Sequence, residues 1–289
     1  MDPVKPRPTP RLVEVGPRDG LQNERSTISL DAKVAFIDAL SETGLKEIEA
    51  GAFLNPKAVP QLANSEQVFA RIKRKPGVIY TALAANAAGL DLALALKVDK
   101  LSVLIAATEA STQKYARDSI RDAVERLRPV VARARAARLP VRGHVAAAFS
   151  CPFEGRVAPE KAVTAVKLLS GIGVSEFSIG DTTGKASPDE VRKLLFLLLK
   201  GVAKENVFLR FHNTFGRAVA NAIVAWKTFG ITGFDSSAGG AGGIVATEAL
   251  LSAFQAAGSG AGVDEAKLKA AAGGLFKHLG RPVGARPAK

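Results

Sequence analysis

Arg18 and Asp19 stand side by side behind Val13-Glu14-Val15-Gly16-Pro17, a short alternating run that breaks at Gly-Pro and then delivers a guanidinium and a carboxylate, followed by Asn23-Glu24. Other stretches end in groups of the same kind: Glu49, Asn86, Thr108 with Glu109, Asp181 with Thr182, and Arg210-Phe211-His212. Carboxylates act as general bases or cation ligands, an imidazole moves protons near neutral pH, and guanidinium groups stabilise charge developing on an oxygen. The set reads as a site for an anionic small molecule. The alternative is that two arginines and three carboxylates simply pair off as a balanced buried network.

Something must bring these residues together, and the chain's patterning supplies it. Eight short β-branched or alternating runs recur at Leu12 to Val15, Glu47 to Ala50, Val78 to Leu83, Lys100 to Ala106, Val141 to Ala147, Glu176 to Ile179, Val207 to His212 and Gly233 to Ser236. Amphipathic helices lie between them: Leu30, Val34, Ile37 and Leu40 share one face, as do Ile120, Val124, Leu127 and Val131. Further helices are expected after Pro60, Pro159 and Pro188, since proline suits a first helical turn. Eightfold strand-helix alternation predicts an α/β fold, a (β/α)8 TIM barrel, with an extra C-terminal helix over Val263 to Leu279. The expected organisation is a proline-rich arm over residues 1–10, one barrel domain over 11–280 and a basic tail over 281–289. In such a barrel the chemistry sits at the carboxyl ends of the strands, where every residue named above falls. Arg210 and His212, two apart on one strand, would both face the interior.

Weaker signals accompany these. Gly239-Gly240-Ala241-Gly242-Gly243 follows the eighth strand and precedes a helix opening at Thr247, a place where backbone N–H groups can cradle a phosphate. Gly242, Gly243 and Asn86 are therefore candidates for holding a cofactor. His144, in mid-strand, reads as a packing residue and His278 as a surface one. Cys151 reads as a small buried side chain, because nothing nearby in sequence would activate it.

Composition narrows the class. With 47% hydrophobic and 23% charged residues the chain is an ordinary globular protein, and its single cysteine excludes an internal disulfide. The opening decapeptide has no apolar core of a signal peptide, and no run is long enough to span a bilayer, so the expected setting is cytoplasmic with no membrane partner. A net charge of +13 fits an anionic ligand or a solvated basic face. No nucleic-acid-binding motif accompanies it, and nucleic acid is not expected as a partner.

Four segments, VEVGPRDGLQNE, IEAGAF followed by Pro56-Lys57 and Val59-Pro60-Gln61, VRGHVAAAFSCPFEG and SIGDTTG, give the chain from about Arg11 to about Leu251 a clear likeness. It resembles the 3-hydroxy-3-methylglutaryl-CoA lyase family of metal-dependent barrel lyases. The resemblance implies retro-Claisen cleavage of a 3-hydroxyacyl-CoA to acetyl-CoA and a ketoacid, with CoA as part of the substrate and a homodimer by analogy. It also implies a divalent cation, Mg²⁺ or Mn²⁺, held by Asp19, by two histidines of a His-x-His-Asp motif and by a loop asparagine. Arg18 would stabilise the enolate and Glu49 would orient the machinery.

The chain departs from that pattern where the cation would bind. In place of His-x-His-Asp-Thr it reads Arg210-Phe211-His212-Asn213-Thr214, and Gly242-Gly243 runs into Ile244-Val245-Ala246-Thr247 without the family's loop cysteine and ligand asparagine. Only Asp19 and His212 remain of the implied metal ligands. A guanidinium about 4 Å from a divalent cation would repel it by roughly 8 kcal/mol at an effective dielectric of about 20. Arg210 is therefore expected to neutralise the former cation site, by pairing with Asp19 or by holding a ligand carboxylate. Three readings follow: a carbon–carbon lyase with altered metal or substrate use, an impaired relative that binds acyl-CoA or carboxylates, and a metal-independent enzyme with Arg18 and Arg210 as a carboxylate clamp.

Overall fold

Eight parallel strands close on themselves in a computed structural model that describes residues 8–24 and 28–285. They are β1 (Arg11–Glu14), β2 (Glu47–Phe53), β3 (Ile79–Ala84), β4 (Lys100–Ala106), β5 (Val141–Ala146), β8 (Glu176–Asp181), β9 (Val207–Phe211) and β10 (Gly233–Ser236). Two two-residue strands, β6 (Ser150–Cys151) and β7 (Gly155–Arg156), form a separate antiparallel hairpin beyond β5. The barrel closes where β1 pairs with both β2 and β10. All eight expected strands are present and in barrel order, confirming the TIM barrel. Residues 1–7 of the expected arm and 286–289 of the expected tail lie outside the described residues.

Helices α1 (Leu30–Ser41), α2 (Ser65–Arg71), α3 (Ala87–Ala95), α4 (Glu109–Ala116), α5 (Ile120–Ala136), α6 (Pro159–Gly171), α7 (Pro188–Leu198), α8 (Ala218–Phe229) and α9 (Thr247–Ala256) wrap the barrel. The extra helix α10 (Glu265–His278) follows as expected and packs on α1, beside a backbone bond from Asp264 to Thr43 at 2.7 Å. Pro159 and Pro188 open α6 and α7. Pro60 opens only a single 3₁₀ turn, Pro60–Leu62, and α2 starts at Ser65.

Period-two alternation decides what fills the barrel. Outward residues such as Ile48, Leu101, Val103 and Ile179 pack beneath the helices. The inward set is charged rather than apolar. Arg142 lies over the Phe208 ring at 4.0 Å and meets Glu176 at 2.5 Å, Glu47 at 3.1 Å and Asp235 at 3.5 Å. Lys100 bridges Glu47 at 2.9 Å and Glu176 at 3.0 Å. Such a core is tolerable because every charge finds an opposite one, and removing one member would strand its partners. It also forms a rigid floor for the residues one layer above.

Candidate active site

Two positions farther along three of these strands, the inward residues become Glu49, Ser102 and His144, and Arg210 lies on β9. The chain after β1 turns back at Gly16–Gly20, five residues in a π-helical turn, which lowers Arg18 and Asp19 onto the same layer. A closed ring results. Glu49 Oε2 accepts from Arg18 Nε at 2.8 Å and Nη2 at 2.5 Å. Arg18 Nη1 reaches Asp19 Oδ1 at 3.2 Å, and Asp19 Oδ2 accepts from Arg210 Nη1 at 2.5 Å. Arg210 Nη2 donates to His144 Nδ1 at 3.2 Å, and His144 Nε2 returns to Glu49 Oε1 at 3.1 Å.

The ring has a fixed polarity. A guanidinium only donates, so His144 Nδ1 accepts and its proton resides on Nε2, where it is donated to Glu49. Burial lowers the His144 pKa below the ordinary histidine value, and both nearby arginines add to this against the pull of Glu49. With His144 neutral, two guanidinium groups balance two carboxylates. Burial pushes the Asp19 carboxyl up, but Arg18 and Arg210 outweigh it and hold the pKa at about 2. The same contest leaves Glu49 well below the usual carboxylate range, through Arg18 and then His144. No member of the ring is more than 5% exposed.

His212 lies one residue beyond the end of β9. Its Nδ1 is 3.1 Å from the carbonyl oxygen of Asp181, and a carbonyl can only accept. Nδ1 therefore carries the proton and Nε2 is left as the basic nitrogen. Burial lowers the His212 pKa, so the ring is neutral at physiological pH and able to take up a proton. Asp181, expected to contribute its carboxylate, uses that group differently. Its oxygens accept the N–H groups of Lys185 at 3.2 Å and Ala186 at 3.0 Å, shaping the loop after β8, and burial raises its pKa to about 6. Asp181 thus bears on the site through its carbonyl, by orienting His212.

The candidates for holding a cofactor sit otherwise than the sequence suggested. Asn86 is exposed and caps α3 by accepting from Gly89 N at 2.9 Å. The glycine run does present N–H groups, but the chain's own carboxylates take them: Glu14 accepts from Ala238, Glu248 from Gly239, and Glu24 from Gly242. A phosphate would have to displace an internal carboxyl group there. Gly242 instead lies against Gly20, one residue from Asp19, while the Gly243 carbonyl accepts from Asn213 N at 2.8 Å. The run is a brace between the Asp19 turn and the end of β9.

His144 corrects the sequence reading, which made it a packing residue. The available signal was its position two residues from Arg142 in Val141-Arg142-Gly143-His144, which puts both on the inner face. Cys151 is a small buried residue as expected, set among the Thr108 and Ser111 hydroxyls. His278 is exposed.

This donor set does not fit a divalent cation. Both oxygens of Asp19 are committed to guanidinium groups, Arg210 stands against the carboxylate, and His212 is the only other implied protein ligand. Among the described residues no three His, Cys, Asp or Glu side chains come together as a metal-holding group. No described helix is long and apolar enough to cross a membrane.

A TIM barrel with an arginine and an aspartate in the turn after β1, a glutamate on the inner face of β2 and a histidine just past the end of β9 defines a barrel lyase-like protein. The match is specific. Residues 9–273 fit the HMGL-like family, and the chain belongs to it. It is 40% identical over 96% of both chains to the 3-hydroxy-3-isohexenylglutaryl-CoA/hydroxymethylglutaryl-CoA lyase of Pseudomonas aeruginosa. The HMG-CoA lyase structure from Bacillus subtilis superposes with a TM-score of 0.94 at 36% identity, covering 97% of each chain. The HMG-CoA lyase of Acinetobacter baumannii, solved with coenzyme A and 3-methylmalate, superposes with a TM-score of 0.92 at 29% identity, covering 96% of this chain and 93% of that one. The family is divalent-cation dependent and acts on CoA substrates, which sets the Arg210–Asp19 pair apart as a feature to be explained.

Proposed function

We propose that this chain is a carbon–carbon lyase that cleaves a 3-hydroxyacyl-CoA to acetyl-CoA and a ketoacid, with the Arg210 guanidinium serving where the family places a cation. The observation that carries this reading is the bond between Arg210 Nη1 and Asp19 Oδ2 at 2.5 Å, inside a site whose Arg18–Glu49 pair is intact. His212 Nε2 takes the proton of the substrate's 3-hydroxyl. The C2–C3 bond then breaks, C3 becomes the ketone of the ketoacid, and the bonding pair passes to C2 and is delocalised into the thioester as an enolate. Arg18 stabilises that enolate oxygen, and reprotonation at C2 gives the methyl group of acetyl-CoA. Arg210 binds the substrate carboxylate or hydroxyl oxygen, sharing itself with Asp19.

The closure of the ring favours a second reading. Both guanidinium groups are already paired, so a ligand must compete with Asp19 and Glu49, and the chain would bind acyl-CoA or carboxylates without turning them over.

Acetyl-CoA release from hydroxymethylglutaryl-CoA, assayed with Mg²⁺ or Mn²⁺ and again in chelator, separates these. Turnover on the order of 1 per second in chelator supports the proposal. Turnover that requires the cation overturns the role given to Arg210. No turnover in either condition, with substrate still bound, leaves the second reading.

A further inference from the structure

The basic tail opens with Arg281, and that side chain turns inward rather than out to solvent. After α10 the chain bends at Gly280, where φ is +66°. Arg281 N then bonds back to the Phe276 carbonyl at 3.2 Å, and its guanidinium carbon lies 4.9 Å from the centre of the Phe276 ring. From there Arg281 Nη2 donates to Glu24 Oε1, on a side chain that is only 4% exposed.

Glu24 is a junction. Its carboxylate takes Arg281 from the segment after α10 and the N–H of Gly242 from the loop after β10. Its backbone carbonyl accepts from Gln61 Nε2, in the loop after β2, at 2.6 Å. Lys33 on α1 secures that loop in turn, donating to the Gln61 carbonyl and to Asn64 Oδ1 at 2.7 Å. Burial raises the Glu24 pKa, and Arg281 is the foremost influence against that rise. Without Arg281 a buried carboxylate would lose its counter-charge.

The same segment grips the ring. Glu24 N donates to the Leu21 carbonyl at 3.1 Å, Leu21 N reaches the carbonyls of Gly16 and Arg18, and Gln22 Nε2 donates to Asp19 Oδ1 at 2.5 Å. The glycine run that braces the Asp19 turn is also seated against the chain's end: a Cβ on Gly239 would lie 2.6 Å from Phe276 and 2.9 Å from Val283.

We propose that the segment after α10 is a strap that sets the catalytic turn, with Arg281 and Glu24 as positioning residues that act through Asp19. The strap holds the Leu21 to Glu24 segment down, and that segment holds the Asp19 carboxylate in register with Arg210. The kinetic effect rests on the lyase reading; the restraint on the turn does not.

Arg281→Ala and Arg281→Lys in the full chain test it by two measurements. Hydrogen exchange followed by mass spectrometry needs no turnover, and it reads the Asp19 and Gly20 N–H groups, both bonded to the Val15 carbonyl. In Arg281→Ala exchange over Val15 to Glu24 should be faster by about tenfold or more, with β4 and β5 unchanged. Cleavage of hydroxymethylglutaryl-CoA should show kcat lower by about tenfold or more at an unchanged folded fraction, with KM altered by less than about threefold. Arg281→Lys, which keeps the charge, should lie between the other two proteins in both measurements. Unchanged exchange over Val15 to Glu24 overturns the strap. Exchange raised throughout the barrel, with activity falling only as the folded fraction falls, gives Arg281 a general structural role and overturns the positioning role, as does faster local exchange with kcat unchanged. No turnover by the unaltered chain removes the lyase reading and leaves the strap to stand or fall on the exchange result.

Discussion

Arg210 and Asp19, 191 positions apart in sequence, meet at 2.5 Å in the centre of the barrel mouth. One guanidinium nitrogen is thereby seated on a carboxylate oxygen that the family resemblance assigns to a cation. The pair is buried, so its two charges are satisfied mainly by each other, by Arg18 and by His144. Arg210→His should undo this arrangement in a defined way. It removes the competing cation and adds an imidazole to Asp19 and His212, giving three candidate ligands for Mn²⁺. Thermal unfolding of the variant should shift upward with Mn²⁺, by about 5 °C or more when the metal is present at about 100 times its dissociation constant. The unaltered chain should not respond. A shift of equal size in both proteins would show that Arg210 does not block a metal.

His144 holds Arg210 in place from the other side. Its Nδ1 accepts from Arg210 and its Nε2 donates to Glu49. His144→Phe keeps a flat ring but leaves a guanidinium N–H and a carboxylate oxygen in a dry site without that partner. Each such loss costs about 1–3 kcal/mol, more where the group is charged. Urea unfolding should therefore show a loss on the order of 3 kcal/mol. A change below about 0.5 kcal/mol would mean that the ring is held without His144.

Gly242 connects the loop after β10 to the same ring. Its φ is +68°, and a Cβ there would lie 2.7 Å from Gly20 Cα and 2.8 Å from the Gly20 carbonyl oxygen. Gly242→Ala thus meets both the left-handed penalty of about 1–2 kcal/mol and a backbone clash that no rotamer change relieves. The displaced atoms adjoin Asp19, so stability and substrate affinity should fall together. Gly258→Ala is a control, also at positive φ, +85°, but with nothing within 4 Å of the added carbon. It should cost stability alone. Equal loss of substrate affinity in both variants would argue against the brace.

The strands and the barrel could be read from the chain because their signal is local: alternation and β-branching need only a few neighbours. The ring could not, because it depends on register between strands. Gly180 pairs with Arg210, and His144 with Ser178, and these pairings set the height at which β5 and β9 present their inward side chains. Asp19 and Arg210 were each visible as chemistry, and the missing histidine pointed to their pairing. The place of His144 between Arg210 and Glu49 was hidden in an ordinary-looking strand. The role of Asp181 was hidden for another reason: type and position suggest a carboxylate in the site, whereas its carbonyl is the group that meets His212. The two-residue strands of the β6–β7 hairpin carry too little pattern to be seen at all.

Glu14 gives the barrel a pH dependence opposite in sign to that of the ring. It is fully buried, and burial raises its pKa from 4.5 to about 8, even though its carboxyl oxygens accept from Gly16, Ala238 and Thr247. A carboxyl whose folded pKa lies above its unfolded value binds more protons when folded. Its favourable contribution is complete below about 4.5 and disappears as pH rises through about 8. Asp19 and Glu49, with lowered pKa values, lose theirs only in acid, and Asp181 at about 6 has mostly titrated by pH 7. Between about pH 7 and pH 8 the Glu14 contribution should therefore fall by roughly 1 kcal/mol, within the limit of about 1.4 kcal/mol per pH unit for one proton. Lys33, drawn down to about 8 by burial, titrates nearby with the opposite sign, so the informative quantity is the difference between two proteins. Urea unfolding of Glu14→Gln, which keeps the shape and removes the proton, should lack the fall attributable to Glu14. Identical pH slopes in the two proteins would show that Glu14 is already ionised at neutral pH, its charge carried by the N–H groups of Gly16 and Ala238.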